Sequence, residues 1–74
     1  MMNLVFHDTE EVVDFVRKVE KYPFHMDLCK GSIIVDAKSL LGVLNMGFNQ
    51  TVKLRVYAEQ YEDMYQEIKH LIAA

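Results

Sequence analysis

The apolar residues of this chain recur at two different spacings, and the order in which those spacings alternate limits the folds that the chain can adopt. Segments with every second residue apolar predict strands, and segments with apolar residues three or four apart predict helices. The segments follow one another as β-α-β-β-α-β-α. A four-stranded antiparallel sheet with all three helices on one face is the simplest arrangement that buries every apolar stripe. We therefore expect one α+β domain over residues 1–74.

The amino-terminal segments predict a strand followed by a helix. The strand is expected at residues 2–6, where the chain is short and apolar. The helix should begin just after it, because Asp8 or Thr9 can cap a helix and acidic residues suit its first turn. It is expected to end at Tyr22, since the residue before Pro23 disfavours helical backbone angles.

The middle of the chain predicts a β-hairpin and a short helix. Residues 24–28 alternate apolar and polar side chains, and residues 33–35 are apolar, so the two runs are expected to pair through a turn at Gly31. A helix over residues 39–46 follows. Gly47 is placed to end this helix in a left-handed conformation.

The last third of the chain predicts a strand and a covering helix. Residues 51–59 alternate in the manner of a strand with one buried face. Residues 60–72 form an amphipathic helix whose apolar stripe comprises Tyr61, Met64, Tyr65, Ile68, Leu71 and Ile72. This helix is expected to cover the sheet.

Charge and cysteine content exclude several classes of function. The net charge is −3 and the eight Lys and Arg residues are scattered, so a nucleic-acid partner is not expected. Cys29 stands alone, and with His25 and His70 it makes no zinc spacing. No apolar run is long enough to span a membrane, and no signal peptide is recognisable. These features predict a cytoplasmic protein with no membrane insertion, no metal site and no cofactor.

The most specific motif is the decapeptide Lys-Ser-Leu-Leu-Gly-Val-Leu-Asn-Met-Gly at residues 38–47. Ser39 is a good helix N-cap, because its oxygen can accept a hydrogen bond from a free N–H group of the first turn. A phosphate at the same place would meet those N–H groups and the positive end of the helix dipole. Ser39 therefore admits two interpretations, a plain cap or a position regulated by phosphorylation.

This decapeptide resembles the HPr family, the small phosphocarrier proteins of the bacterial sugar phosphotransferase system, in which the same stretch reads roughly K-S-I-M-G-V-M-S-L-G. The likeness continues without a gap over residues 15–72. It implies the HPr-like open-faced β-sandwich, with a four-stranded antiparallel sheet and three helices on one face. In many HPr-like proteins of low-GC Gram-positive bacteria, the serine that matches Ser39 is phosphorylated by an ATP-dependent kinase.

The resemblance fails at the residue that carries phosphate in the family. Phosphocarriers use a histidine in a loop before the first helix, written roughly G-L-H-A-R-P. Counting back without gaps places Asp8 at the histidine, Glu10 at the arginine and Glu11 at the proline. His7 lies one residue away and is the alternative phosphoacceptor, although the neighbouring acids would repel a phosphorylated imidazole. The other interpretation is an exposed histidine in a strand-to-helix connection.

The resemblance also suggests a surface for protein partners. Leu40, Leu41 and Leu44 match an apolar patch that the family uses for docking, and a two-turn helix cannot bury all of them. Lys38, which the family also has, could lie beside a phosphate on Ser39.

These residues predict an adaptor that is not itself an enzyme. In keeping the serine helix without the active histidine, it would be similar to the catabolite-repression relatives of HPr. Its partners would be proteins of the sugar phosphotransferase system or a transcriptional regulator, with an HPr kinase acting on Ser39. Two alternatives stay open. One is an active phosphocarrier that uses His7, and the other is a structural or interaction module that keeps only the fold.

Overall fold

A computed structural model describes residues 1–73 and confirms the predicted α+β fold and order of elements. Each helix and strand forms where its periodicity predicts one. The elements are β1 (Met2–Val5), α1 (Thr9–Val19), β2 (Met26–Lys30), β3 (Ile33–Asp36), α2 (Leu40–Leu44), β4 (Thr51–Val56) and α3 (Glu62–Ile68), with a 3-10 turn at Lys69–Leu71.

The four strands form one antiparallel sheet in the order β1-β4-β2-β3. Leu28 in β2 lies opposite Val35 on one side and Leu54 on the other, and Leu54 in turn lies opposite Met2. This row of apolar side chains crosses the whole sheet on the face that the helices cover. The register is therefore strongly specified, because a slip of one residue would turn a strand's apolar set to the other face.

The core lies between the sheet and the three helices. The aromatic rings of Phe6 and Phe15 meet edge to face with their centroids 5.1 Å apart, which joins the end of β1 to α1. Buried side chains from every helix join those of the sheet, and no polar or charged side chain in the described part of the chain is fully buried. The buried residues are Leu4, Phe6, Val12, Phe15, Val16, Val19, Met26, Leu28, Ala37, Val43, Met46, Val52, Leu54, Met64, Ile68 and Leu71.

Two of the three described residues with positive φ angles are glycines that the sequence predicts at turns. Gly31 has a φ of 59° at the first position of a two-residue turn, as a type II′ hairpin requires. Gly47 has a φ of 85° immediately after the second helix, which confirms its role in ending that helix.

Several predicted element boundaries are wrong by a few residues. The first helix ends at Val19 instead of Tyr22, because the N–H groups of Lys21 and Tyr22 bond three residues back in tighter turns. The fourth strand stops at Val56 and the last helix begins at Glu62. The second helix spans only Leu40–Leu44, and the first strand of the hairpin begins at Met26, two residues later than predicted.

A polar cluster fastens the end of α1 to α3. Lys21 Nζ lies 2.6 Å from Glu67 Oε1, and the Tyr22 hydroxyl donates to the other carboxylate oxygen of Glu67. Lys18 Nζ donates to the backbone carbonyl of Glu67 at 3.2 Å. The hydrogen bonds from Lys21 and Tyr22 hold the pKa of Glu67 below its ordinary value, and the bond to Glu67 raises the pKa of Tyr22 to about 12.

Replacing Phe15 with alanine tests the packing of the core. Phe15 is fully buried against Phe6, so Phe15→Ala should lower the free energy of unfolding by about 3–5 kcal/mol. Leu41→Ala is the control, because Leu41 is exposed and its loss should change stability by less than about 0.5 kcal/mol. Urea unfolding followed by circular dichroism measures both. Equal stability of the two variants would contradict this packing.

The Glu67 cluster predicts a component of acid sensitivity. Because folding lowers the pKa of Glu67, the ionised carboxylate stabilises the protein above its unfolded pKa, and that contribution is lost as pH falls through the folded pKa. Glu67→Gln should therefore be less stable than the wild type at pH 7, and the difference should shrink towards pH 3. Urea midpoints across this range provide the measurement. A constant difference at every pH would contradict the prediction.

Candidate functional site

Ser39 caps α2, as its position in the decapeptide predicts. Its backbone is extended, with φ −93° and ψ 106°, and its Oγ accepts a hydrogen bond from the Gly42 N–H at 3.3 Å. The Ser39 N–H donates to the carbonyl of Asp36 at 3.0 Å, which ties the cap to the end of β3. The side chain is exposed, so its hydroxyl faces solvent at the start of the helix.

Gly42 allows α2 to lie close to both its own cap and the neighbouring strand. A Cβ at this position would stand 3.3 Å from Ser39 Oγ and 3.3 Å from Val35 Cβ. These separations are tighter than ordinary van der Waals contacts, so a methyl group at this position would require Ser39 or Val35 to shift by a few tenths of an ångström. The glycine of the motif thus permits the close approach of α2 to its cap and to β3.

Lys38 joins the site to the end of the first helix. Its ammonium donates to the backbone carbonyl of Tyr22 at 2.6 Å, and its backbone N–H donates to Asp36 Oδ1 at 2.9 Å. The side chain is half-buried along this path. In the unmodified protein the ammonium is thus bonded to Tyr22, and Ser39 Oγ has its hydrogen bond with Gly42.

The three leucines of α2 are not equivalent. Leu41 is 71% exposed and Leu40 is 42% exposed, whereas Leu44 is half-buried and packs against the core. Val43 is fully buried and anchors the helix. An apolar surface therefore adjoins the serine as expected. We call Leu40 and Leu41 the leucine surface.

His7 lies immediately before the N-cap of α1, among carboxylates. Its side chain is 63% exposed, and its Nδ1 lies 3.0 Å from Glu11 Oε1. The same carboxylate oxygen accepts the backbone N–H of His7 at 2.7 Å, while Asp8 Oδ1 accepts the N–H of Glu11 at 2.9 Å. This reciprocal pattern is close to a capping box. The difference is that the Glu11 carboxylate accepts the N–H of His7, one residue before the N-cap Asp8, and not that of the N-cap itself. Carboxylates thus occupy the start of α1, where an anion is most favourable.

The helix α2 separates His7 from Ser39. The carbonyl of Phe6 accepts a hydrogen bond from the Asn49 N–H at 2.8 Å, so the segment before α1 meets the segment that follows α2. Lys38 bonds to Tyr22 at the opposite end, beside the start of α2. His7 and Ser39 are therefore at opposite ends of a five-residue helix, whose length is about 7.5 Å.

Sequence reasoning missed the segment that meets the start of α1. Phe48 is an exposed aromatic residue, and Asn49 has a φ of 58°. The signal was present in the sequence, since asparagine tolerates left-handed backbone angles better than most residues. What the sequence could not show is the hydrogen bond that places these residues next to Phe6.

Other parts of the described chain offer little chemistry. An open groove of about 550 Å³ is lined by Glu59, Gln60, Tyr61, Glu62 and Tyr65, none of which belongs to the decapeptide. Within residues 1–73, no group of three His, Cys, Asp or Glu side chains comes together to hold a metal ion. Over the same residues, no helix is long and apolar enough to cross a lipid bilayer.

Comparisons with known proteins agree with the geometry. A family model described as the PTS HPr component phosphorylation site matches residues 10–74. HPr-C-His from Thermoanaerobacter tengcongensis has a similar structure, with a TM-score of 0.74 and 23% identity over 97% of this chain and 91% of its own. A second similar structure is that of Crh, the catabolite repression protein of Bacillus subtilis, which is described as an intertwined dimer with a swapped domain. It has a TM-score of 0.68 and 18% sequence identity, over 89% of this chain and 78% of its own. No curated protein sequence is significantly similar to this chain.

The one-sided antiparallel sheet and the serine-capped second helix define an open-faced β-sandwich of the phosphocarrier type. The chain belongs to the HPr family of the sugar phosphotransferase system. Its general role is accordingly that of an HPr-like protein in that system, a family of phosphocarriers and regulators that are not catalysts in themselves. The family match begins at Glu10, so His7 and Asp8 lie before it.

Removing the serine cap should weaken the second helix. Ser39→Ala leaves the Gly42 N–H without its acceptor and should cost about 1 kcal/mol of stability. Ser39→Asp should retain most of the wild-type value, because aspartate also caps helices. Ser32→Ala, in an exposed hairpin turn, is the matched control and should change stability by less than about 0.5 kcal/mol. Urea unfolding distinguishes these outcomes, and a Ser39→Ala variant as stable as the wild type would contradict the capping role.

Proposed function

We propose that this chain is a regulatory adaptor of the sugar phosphotransferase system, in which phosphorylation of Ser39 changes which protein binds at the leucine surface. The observation that carries the proposal is the adjacency of the two features. Ser39 is exposed at the start of α2, and the next two residues are the exposed Leu40 and Leu41. A modification at Ser39 would therefore alter the border of an apolar docking surface directly.

The chemistry of the modification is a simple phosphoryl transfer. An ATP-dependent kinase of the HPr type would move the γ-phosphoryl group to Ser39 Oγ, with loss of the hydroxyl proton and release of ADP. The phosphate would add about −1.5 to −2 charges at the N-terminus of α2, where free N–H groups face it. A partner that buries Leu41 beside a neutral serine would then have to accommodate a dianion, whereas a partner with arginines there would gain contacts.

Lys38 would have two competing positions after phosphorylation. In the unmodified protein its ammonium bonds to the carbonyl of Tyr22. A phosphate on Ser39 offers a charged acceptor one residue away, and charge-assisted hydrogen bonds are stronger than those to neutral carbonyls. Movement of Lys38 towards the phosphate would loosen the connection between α2 and the end of α1.

The surroundings of His7 support the adaptor over an active phosphocarrier. A phosphoryl group on Nδ1 would have to displace the Glu11 carboxylate, which lies 3.0 Å away. Asp8 already caps the helix, so the N–H of Glu11 is bonded to a carboxylate. Glu10 adds a further negative charge in the first turn. A phosphate on His7 would be repelled by these carboxylates, because like charges at short distance destabilise each other. The first turn of α1 contains no arginine that could compensate for the added charge.

Intact mass spectrometry separates the candidate functions. We expect a gain of one phosphate with ATP and an HPr kinase, stable to acid and absent in Ser39→Ala. Ser32→Ala is the matched control, because the chain contains only these two serines, and it should still accept the phosphate. Incubation with phosphoenolpyruvate and the first enzyme of the system tests His7. A phosphate that is labile to acid and is lost in His7→Ala would contradict the adaptor function and indicate an active phosphocarrier. The absence of phosphate under both conditions would favour a structural module.

Binding measurements test the leucine surface. Phosphorylated and unmodified protein should differ at least tenfold in affinity for a regulator or transporter protein of the phosphotransferase system. Leu41→Ala should weaken the complex by a similar factor, because full burial of an exposed leucine side chain stabilises a contact by about 1.5–3 kcal/mol. Tyr57→Ala, an exposed position on the other face of the sheet, should leave the affinity unchanged. Equal affinities for all four forms of the protein would overturn the docking surface.

A further inference from the structure

The two edges of the sheet differ in how they are protected. Along β1, Leu4 forms a bridge with Ile72, and the Ala73 N–H donates to the Asn3 carbonyl at 2.8 Å. The opposite edge is β3, and within residues 1–73 no strand pairs with its outer side. An edge strand of this kind presents unpaired N–H and C=O groups that form a template for another strand.

The sequence of β3 carries few of the devices that usually block such pairing. Proteins protect open edges with very short strands, charged side chains, proline or bulges, and of these β3 has only its short length and the charge of Asp36 at its end. Strand β3 reads Ile-Ile-Val-Asp, and its four residues pair one to one with β2, without a bulge. Ile33 is 53% exposed and Ile34 is 60% exposed, although isoleucine is among the residues most often buried.

We propose that β3 pairs antiparallel with β3 of a second copy of this chain, around a twofold axis at Ile34. The two sheets would then form one continuous eight-stranded sheet. The hairpin geometry determines which groups are free. Because a two-residue turn makes Lys30 and Ile33 a hydrogen-bonded pair, Ile33 and Val35 bond inwards to β2, and the N–H and C=O of Ile34 point outwards.

Charge favours the axis at Ile34 over other registers. In this register Ile34 faces its own copy, and Ile33 faces Val35 of the second copy. Asp36, the one charged residue of β3, faces the neutral Ser32. Moving the axis to Asp36 would place two carboxylates opposite each other, which destabilises a strand pair. The strand is thus complementary to itself in charge and in apolar surface.

The size of the contact sets the strength and limit of the association. Four residues from each copy bury less than the roughly 1,200 Å² typical of a stable interface, so the dimer should be weak and depend on protein concentration. It should also stop at two copies. The β1 edge is already occupied by Ile72 and Ala73, so a second copy cannot add there to extend the sheet.

Sedimentation equilibrium of the whole chain, from micromolar to millimolar concentration, tests the proposal. We expect a monomer–dimer equilibrium whose dissociation constant rises at least tenfold in Ile34→Lys. Leu41→Lys is the matched control, because it places the same charge on an exposed apolar residue of α2, outside the paired strand, and should leave the constant unchanged. Circular dichroism verifies that each variant is folded. If Ile34→Lys does not fold, Ile34→Thr replaces it, since threonine keeps the strand propensity.

Disulfide trapping tests the register. In a Cys29→Ser background, Ile34→Cys should form a covalent dimer on mild oxidation, because two Ile34 Cα atoms would lie about 5.5 Å apart. Ile33→Cys is the control and should cross-link at least tenfold more slowly, since Ile33 faces Val35. A monomer at every concentration, a dimer insensitive to Ile34→Lys, or a loss of dimer in Leu41→Lys alone would overturn the proposal. Faster trapping at position 33 would overturn the register.

Discussion

The burial of three helical stripes on one face of the sheet is the constraint on which the rest of this structure depends. The row from Met2 through Leu54 and Leu28 to Val35 is apolar across all four strands, and it requires a cover along its whole width. Of the buried side chains in the three helices, four belong to α1, two to α3 and one, Val43, to α2. Within residues 1–73 no further helix or strand packs on the other face of the sheet, which stays open.

The same constraint explains why the short second helix has a defined position. Five residues are too few to form a stable helix alone, because nucleation is costly. Here the Ser39 cap, the close contact of Gly42 with Val35 and the bond from Lys38 to Tyr22 hold it on three sides. The fold can therefore present Leu40 and Leu41 to solvent while the helix stays in place. A docking surface next to a modifiable residue benefits from such a support.

The two ends of α2 differ in electrostatic character. At its start the exposed Ser39 has no carboxylate in the first helical turn that follows. Beyond its end lies the start of α1, where Asp8 accepts the N–H of Glu11, and the Glu11 carboxylate accepts the N–H of His7 and contacts its ring. A phosphate at the first place would meet N–H groups of the first turn, with the Asp36 carboxylate on the preceding segment, whereas at the second place it would lie among Asp8, Glu10 and Glu11. This contrast favours regulation at the serine over phosphoryl transfer through the histidine.

Local patterns in the sequence were sufficient to predict the order of elements, the α+β class, the cap at Ser39 and the turn glycines, because periodicity, capping and left-handed angles are short-range properties. The boundaries were less predictable, as the early end of α1 shows. Only the tertiary structure decided which leucine of α2 packs against the core, where the Lys38 ammonium bonds and which sheet edge is open. Those outcomes depend on contacts between segments distant in sequence, such as Lys38 with Tyr22 and Leu4 with Ile72, which no local pattern encodes.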